Sequence, residues 1–369
     1  MHSLAEHRTW HFRRIAFFLA LIVFAACTPA AHAQAPQANV TTRSLSAPHH
    51  SALFSEAIVP GALVPDWDRG YLVFRTRESL GSADSQSPTV ILYDRDGQRA
   101  RQARFWFPDA VRVFISDATV ADDGRIIASG SVISSDGKLA SFIAKTGLDG
   151  NVTQVIRTNP FVATHVCSTS DGTLWTFGHE LDKEEARGDY TMLHHYNFNT
   201  GLLQEYVPRH SIPVSVLPTL AAGTPQGAYL RCGDETVALY VNPTKEYFRF
   251  DSRKGVLERY KADTAELDRM RLTGAALTNA GVFYASAENN AGANELRVRG
   301  LFELRIDAEA RTAKWVPVNG TRSAMTWGQS ASDVAVGRLF GTDGSNLILM
   351  MAPRPELSWV TPVREPITK

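Results

Sequence analysis

The sequence predicts an all-β repeat fold. Three observations carry this: a turn flanked by short apolar strands recurs six times, the first five copies each lead into a second strand pair, and no segment has the pattern of a long amphipathic helix. The clearest copies are ADDGRIIASG (Ala121–Gly130) and TSDGTLWTFG (Thr169–Gly178). Each is a turn closing on Asp-Gly and running into a strand, a strong hairpin signal because glycine accepts the backbone angles the turn requires. Looser copies are DWDRGYLVFR (Asp66–Arg75), CGDETVALYV (Cys232–Val241), TNAGVFYASA (Thr278–Ala287) and TDGSNLILMM (Thr342–Met351).

The second strand pairs follow in phase. They are Thr89–Trp106, Ser141–Thr158, Met192–Val207, Tyr247–Lys261 and Leu301–Val318, each with a turn near its middle. One unit is therefore four strands, the length of a β-propeller blade of about 40–50 residues. A single four-stranded sheet cannot cover its own apolar faces, and stacking such sheets around an axis covers them. The expectation is a β-propeller of six four-stranded blades. The sixth copy runs out of chain after Asn346–Met351 and Leu357–Pro362, so its outer strand is expected from the N-terminal segment at Val40–Ser46. Pro208–Leu230, rich in Pro, Gly and Ala, reads as a loop and not as a seventh blade, and Thr264–Leu272 as a linker turn.

The first residues add an export signal. Arg8, Arg13 and Arg14 precede the apolar run Ile15–Ala26, and Ala31-His32-Ala33 has the A-x-A form of a cleavage site. The run is shorter than the roughly 20 residues that span a bilayer. Two variants stand beside simple cleavage: a lipoprotein box ending at Cys27, in which Phe24 replaces the usual leucine, and a twin-arginine signal at Arg13-Arg14. The expected organisation is a signal peptide over 1–33, an N-terminal segment over 34–54 that closes the last blade, the propeller over 55–362 and a tail over 363–369. The expected location is periplasmic or extracellular, with no membrane span after cleavage.

Removing residues 1–33 takes three of the 38 Lys and Arg and one of the 38 Asp and Glu, leaving 35 against 37, a net charge of −2. Such a chain has no global attraction to nucleic acid. Cys167 and Cys232 remain. An exported compartment permits a bond between them, but two cysteines make no framework, and separate buried thiols are the default reading.

The phrase SDGTLWTFG (Ser170–Gly178), followed by NTGLLQEYVP (Asn199–Pro208), resembles the repeat of streptogramin-lyase-like propellers. The broader likeness, which takes in NHL-repeat and gluconolactonase-like propellers, covers most of residues 55–362. It implies a central channel with a ligand face at one end. It implies no activity, because propellers host many. The lyase family's catalytic histidine and metal-binding acidic residues have no matching motif here, and none are carried over.

No catalytic motif stands out: no G-x-S-x-G, no H-E-x-x-H, no phosphate loop and no dinucleotide fingerprint. Asp94-Arg95-Asp96-Gly97 and Asp136-Gly137 read as turns, because calcium loops need several spaced oxygen ligands. Candidate ligand-binding residues are the charged groups on expected inner strands: Asp117, His165, Arg231 and Arg338. A ring of these suits a polar or anionic ligand, with arginine matched to carboxylates, and it equally suits a salt-bridged channel without a ligand. His194 and His195 lie on opposite faces of one strand. Trp106, Trp175, Trp315 and Trp359 read as packing between blades. The insertions Ser79–Ser87, Glu180–Asp189 and Glu288–Glu295 are the natural contact loops. The reading that follows is an exported module that binds a protein or a small polar ligand through its loop face. The alternative is a lyase or lactone hydrolase at the channel mouth, for which alone a divalent metal is expected.

Overall fold

Asp-Gly turns set the phase of the fold. Gly124 and Gly172 take φ of +73° and +80°, a region in which an L side chain is strained. The turn carbonyls at Ala121 and Thr169 accept from those glycine N–H groups, at 2.8 and 3.0 Å. The aspartate before each glycine closes the turn as well: Asp123 Oδ1 accepts from Arg125 N, and Asp171 Oδ1 from Thr173 N.

The computed structural model describes residues 43–45, 49–53, 66–75, 89–181, 189–221, 227–267, 270–289, 297–318, 323–325, 335–352 and 356–364. The signal peptide expected over 1–33, with Cys27 and Arg13-Arg14, lies outside them. So do Ser79–Ser87 and most of the other two expected contact loops.

The described residues are all-β in a propeller-like arrangement. After β1 (Arg43–Leu45) and β2 (His49–Leu53), the first sheet is β3 (Asp66–Asp68), β4 (Tyr71–Arg75), β5 (Thr89–Tyr93) and β6 (Arg99–Arg104). The second is β7 (Ala110–Val120), β8 (Ile126–Ser134), β9 (Leu139–Thr146) and β10 (Val152–Arg157). The third is β11 (Phe161–Ser168), β12 (Leu174–Glu180), β13 (Thr191–Asn197) and β14 (Gly201–Pro208). Each is a simple antiparallel meander. Short 3₁₀ turns and the helix α1 (Leu217–Ala221) then occupy the stretch that the sequence marked as a loop.

Two further meanders follow. They are β15 (Ala228–Cys232), β16 (Thr236–Val241), β17 (Glu246–Asp251) and β18 (Val256–Asp263), then β19 (Met270–Leu277), β20 (Phe283–Asn289), β21 (Arg297–Asp307) and β22 (Thr312–Pro317). Parallel pairing of Lys261–Asp263 with Thr312–Lys314 joins their outer strands into one nine-stranded sheet, with β23 (Ser323–Met325) against β21. The linker expected over Thr264–Leu272 is shorter than read, because β19 begins at Met270.

The last sheet is β24 (Ala335–Asp343), β25 (Asn346–Ala352) and β26 (Glu356–Val360), with β2 as its outer strand. An N-terminal strand does complete this sheet, but it is His49–Leu53, not Val40–Ser46. Arg43–Leu45 pairs instead with β27 (Pro362–Arg364).

Apolar cores fill the spaces between successive sheets. Trp67 meets Trp359 edge-on at 5.2 Å between the last sheet and the first. Trp175 packs on Phe250 between the third meander and the fourth. Trp315, Phe283, Tyr240 and Tyr247 fill the next space, where the Trp315 indole N–H donates to the Tyr240 hydroxyl at 3.3 Å. A fully buried Phe or Leu in such a seam contributes about 1.5–3 kcal/mol relative to exposure. Trp106 departs from the expectation: it follows β6, outside any strand, and is 46% exposed.

Candidate functional site

The first strands of the meanders, β3, β7, β11, β15, β19 and β24, are tied to one another in sequence. Asp68 Oδ2 accepts from the Thr119 hydroxyl at 2.5 Å and from Val120 N at 2.7 Å. Asp117 Oδ2 accepts from Val166 N at 2.9 Å, and the Ser168 hydroxyl donates to Val120 O at 2.8 Å. Cys167 and Cys232 are bonded, with Cα atoms 5.6 Å apart, so the default of separate thiols does not hold. The bond joins β11 to β15, a proximity that only the arrangement of the sheets creates. Arg231 Nε donates to Ala275 O at 2.8 Å, and the Thr342 hydroxyl to Leu277 O at 2.9 Å. Close approach completes the series: a Cβ on Gly274 would sit 2.0 Å from Leu339 O, and one on Gly341 2.2 Å from Trp67 O. Only glycine fits at those two places.

Within this set of strands the four sequence-predicted residues come together. Their hub is Asp66, which sequence reading took for part of a turn. Arg231 Nη2 lies 3.1 Å from Asp66 Oδ1 and Arg338 Nη2 lies 3.9 Å from it. Arg75, reaching in from β4, lies 2.8 Å from Asp117 and 4.0 Å from Asp66. Arg231 is fully committed, because its Nη1 also donates to Leu230 O at 3.0 Å. Burial raises the Asp66 pKa, but Arg231, Arg338 and Arg75 outweigh it and hold the carboxyl below its usual range.

His165 is neutral at physiological pH. Burial drives its pKa down to about 4, against the opposing pull of Asp117. Thr164 Oγ1 donates to Phe177 O at 3.0 Å, so its contact with His165 Nδ1, also 3.0 Å, is an imidazole N–H donating to the hydroxyl oxygen. That assigns the proton to Nδ1 and leaves Nε2 as an acceptor. His194 and His195 lie on opposite faces of β13, as expected. His194 stacks on Phe161 at 3.8 Å and His195 on Trp175 at 4.4 Å.

A cavity of about 430 Å³ opens beside this cluster. Its walls come from Asp66–Gly70, Asp117–Thr119, Val166–Ser168, Leu230–Asp234, the end of β19 through Asn279, and Gly341–Gly344. All six first strands contribute. Asp66, Asp117 and Arg231 are therefore cavity residues, while His165 and Arg338 lie outside its lining. At the rim Arg95 pairs with Asp343 and Arg69 with Asp122. The cavity sits at the Asp-Gly end of the strands. The segments 76–88, 182–188 and 290–296 attach at the opposite ends of β4, β12 and β20.

Among the described residues no three His, Cys, Asp or Glu side chains converge as a metal site. Asp66 and Asp117 face arginines, whose charge opposes a divalent cation. The residues present do not fit the metal that the lyase-like resemblance would bring.

No family model matches the chain, and no curated protein matches it. Among solved structures it is similar to a Bacteroides fragilis protein named only as a candidate exported protein, at 11% identity and a TM-score of 0.46, over 89% of this chain and 98% of that one. It is similar to a luciferin-regenerating enzyme at 12% identity and a TM-score of 0.43, over 86% and 98%. The β-propeller domain of the Trilobed protease from Pyrococcus furiosus aligns at 12% identity and a TM-score of 0.40, over 88% and 96%. At these values none carries a functional argument, and the architecture rests on the hydrogen-bonded sheets themselves.

Proposed function

We propose that this chain is an exported propeller of six four-stranded blades, spanning residues 55–362 with the N-terminal segment closing the last blade, and that it acts as a binding module without catalysis. It takes a small polar ligand in the cavity at the Asp-Gly end of its channel. One observation carries this reading: a single polar cavity draws its wall from the first strand of every four-strand unit, while the charged groups at its floor are committed to one another. A catalytic base or nucleophile needs an orienting partner and a face open to substrate. His165 has the orienting partner but lies outside the cavity lining. The Cys167–Cys232 bond supports export into an oxidising compartment. Among the described residues no helix is long and apolar enough to cross a membrane.

The alternative, a metal-dependent lyase or lactone hydrolase at the channel mouth, is opposed by the donor set described above. The test measures metal content and melting temperature with and without a chelator, then screens small polar ligands by melting shift. Asn279→Trp, at an exposed turn on the cavity lip, serves as the blocked control. The expected result is no stoichiometric metal, an unchanged melting temperature in chelator, and a ligand shift lost in the Trp variant. Stoichiometric metal whose removal lowers the melting temperature would overturn this reading in favour of the alternative.

A further inference from the structure

Outside the lining of the mouth cavity, a group of buried donors makes no hydrogen bond to the described residues. The Tyr229 hydroxyl is buried and makes no hydrogen bond among the described residues, and its residue is 3% exposed. Arg338 Nε is buried and unpartnered, and so is Arg75 Nε. Burial acts most strongly on the Tyr229 hydroxyl, then Arg338 and Arg231, with the Asp66 carboxylate opposing them and Arg271 following. Tyr229 precedes Arg231 by two residues on β15, one side-chain repeat toward the strand's start, and Arg75 ends β4 at that same end of the channel. A buried donor left unpaired costs about 1–3 kcal/mol, so several in one place call for an acceptor.

The signs of these groups decide what kind of acceptor. Burial holds the Tyr229 hydroxyl protonated, so it donates. Arg75 and Arg338 are cations, and among the described residues Arg338 pairs with Asp66 alone, at a loose 3.9 Å. Asp66 and Asp117 are already engaged by Arg231, Arg75 and the Val166 N–H. Three guanidinium groups, Arg75, Arg231 and Arg338, thus share two carboxylates, Asp66 and Asp117, with the neutral His165 Nε2 as a further acceptor, so positive charge is in excess here among the described residues.

We propose that the channel segment bounded by Arg338, Tyr229 and Arg75 is a binding site for a small carboxylate. One oxygen accepts from the Tyr229 hydroxyl and the other from Arg338 Nε, a match between a planar carboxylate and a guanidinium edge. The site is distinct from the mouth cavity, since neither Tyr229 nor Arg338 lines it. It deepens the binding-module reading without depending on it.

Acetate is the probe, titrated against the full chain at constant ionic strength with chloride as the balancing anion. Ligand bound only by the folded state raises the melting temperature with concentration. The wild type is expected to show that rise, and Tyr229→Phe and Arg338→Gln to lose it, while Asn279→Trp at the mouth keeps it. Tyr229→Phe removes only a hydroxyl from a packed ring, so it folds even where Arg338→Gln does not. No rise in the wild type, the same rise in Tyr229→Phe, or a rise with phosphate alone would overturn the site, the first leaving water as the acceptor. Loss of the rise in Asn279→Trp as well would assign the effect to the mouth cavity and overturn the site too.

Discussion

At His165 the cost of burying a charge sets both protonation and acid sensitivity. Unfolded, the imidazole titrates near 6.5; folded, burial holds it near 4, with Asp117, Arg231, Arg75 and Asp66 around it. Between those values the unfolded state binds more protons, so stability rises with pH across the window and is lost as pH falls through it. The difference is worth about 3 kcal/mol. Melting temperature followed between pH 6.5 and 4 should fall less steeply in His165→Gln than in the wild type. An equal slope would place the acid sensitivity elsewhere, in His194 and His195, which burial also lowers. Asp66, held low, adds loss only at more acid pH. The strand placement of His165, Asp117, Arg231 and Arg338 was legible in the sequence because each lies just before one of the repeated turns. Tyr229 was open to the same logic, but its aromatic ring reads as core. Asp66 was hidden because DWDRG looks like turn chemistry. Arg75 was hidden more deeply: it comes from a second strand, and its reach to Asp117 depends on packing between sheets.

At the scale of the element, alternation and turns revealed the strand pairs, and the register follows them closely. Glu246–Asp251 pairs residue for residue with Val256–Lys261 around the turn at Lys254-Gly255. What alternation did not reveal is which short N-terminal strand completes the last sheet. VTTRSLS and HHSAL are both brief and polar, and pairing with β26 is decided some 300 residues away in the chain, beyond any local pattern. That strand covers an otherwise open edge, and an uncovered edge is a site for association between chains. A chain starting at residue 54 should melt well below one starting at residue 43, and size-exclusion chromatography should show it self-associating. Equal melting temperatures would show that β2 adds nothing to the fold.

For the molecule as a whole, the repeat phase pointed to the all-β, propeller-like arrangement, and the disulfide needed that arrangement to be seen. Cys167 and Cys232 lie 65 residues apart and become neighbours only because consecutive sheets bring β11 beside β15. Closing a loop of that length removes freedom from the unfolded chain, worth about 2–4 kcal/mol. Cys167→Ser with Cys232→Ser should lose that amount in a denaturant titration under oxidising conditions. In reductant the wild type should approach the double variant. A double variant as stable as the oxidised wild type would show the bond to be thermodynamically idle.

The pairing of β1 with β27 has a consequence for how the molecule can be connected to others. Arg43 lies directly across from Arg364, so the first and last strands of the described residues lie side by side. A few residues would bridge that gap, and new ends could then be opened at the exposed turns around Gly137 or Gly255. The same geometry lets the whole fold be spliced into a surface loop of a host protein, where it would stand on a narrow two-stranded stalk.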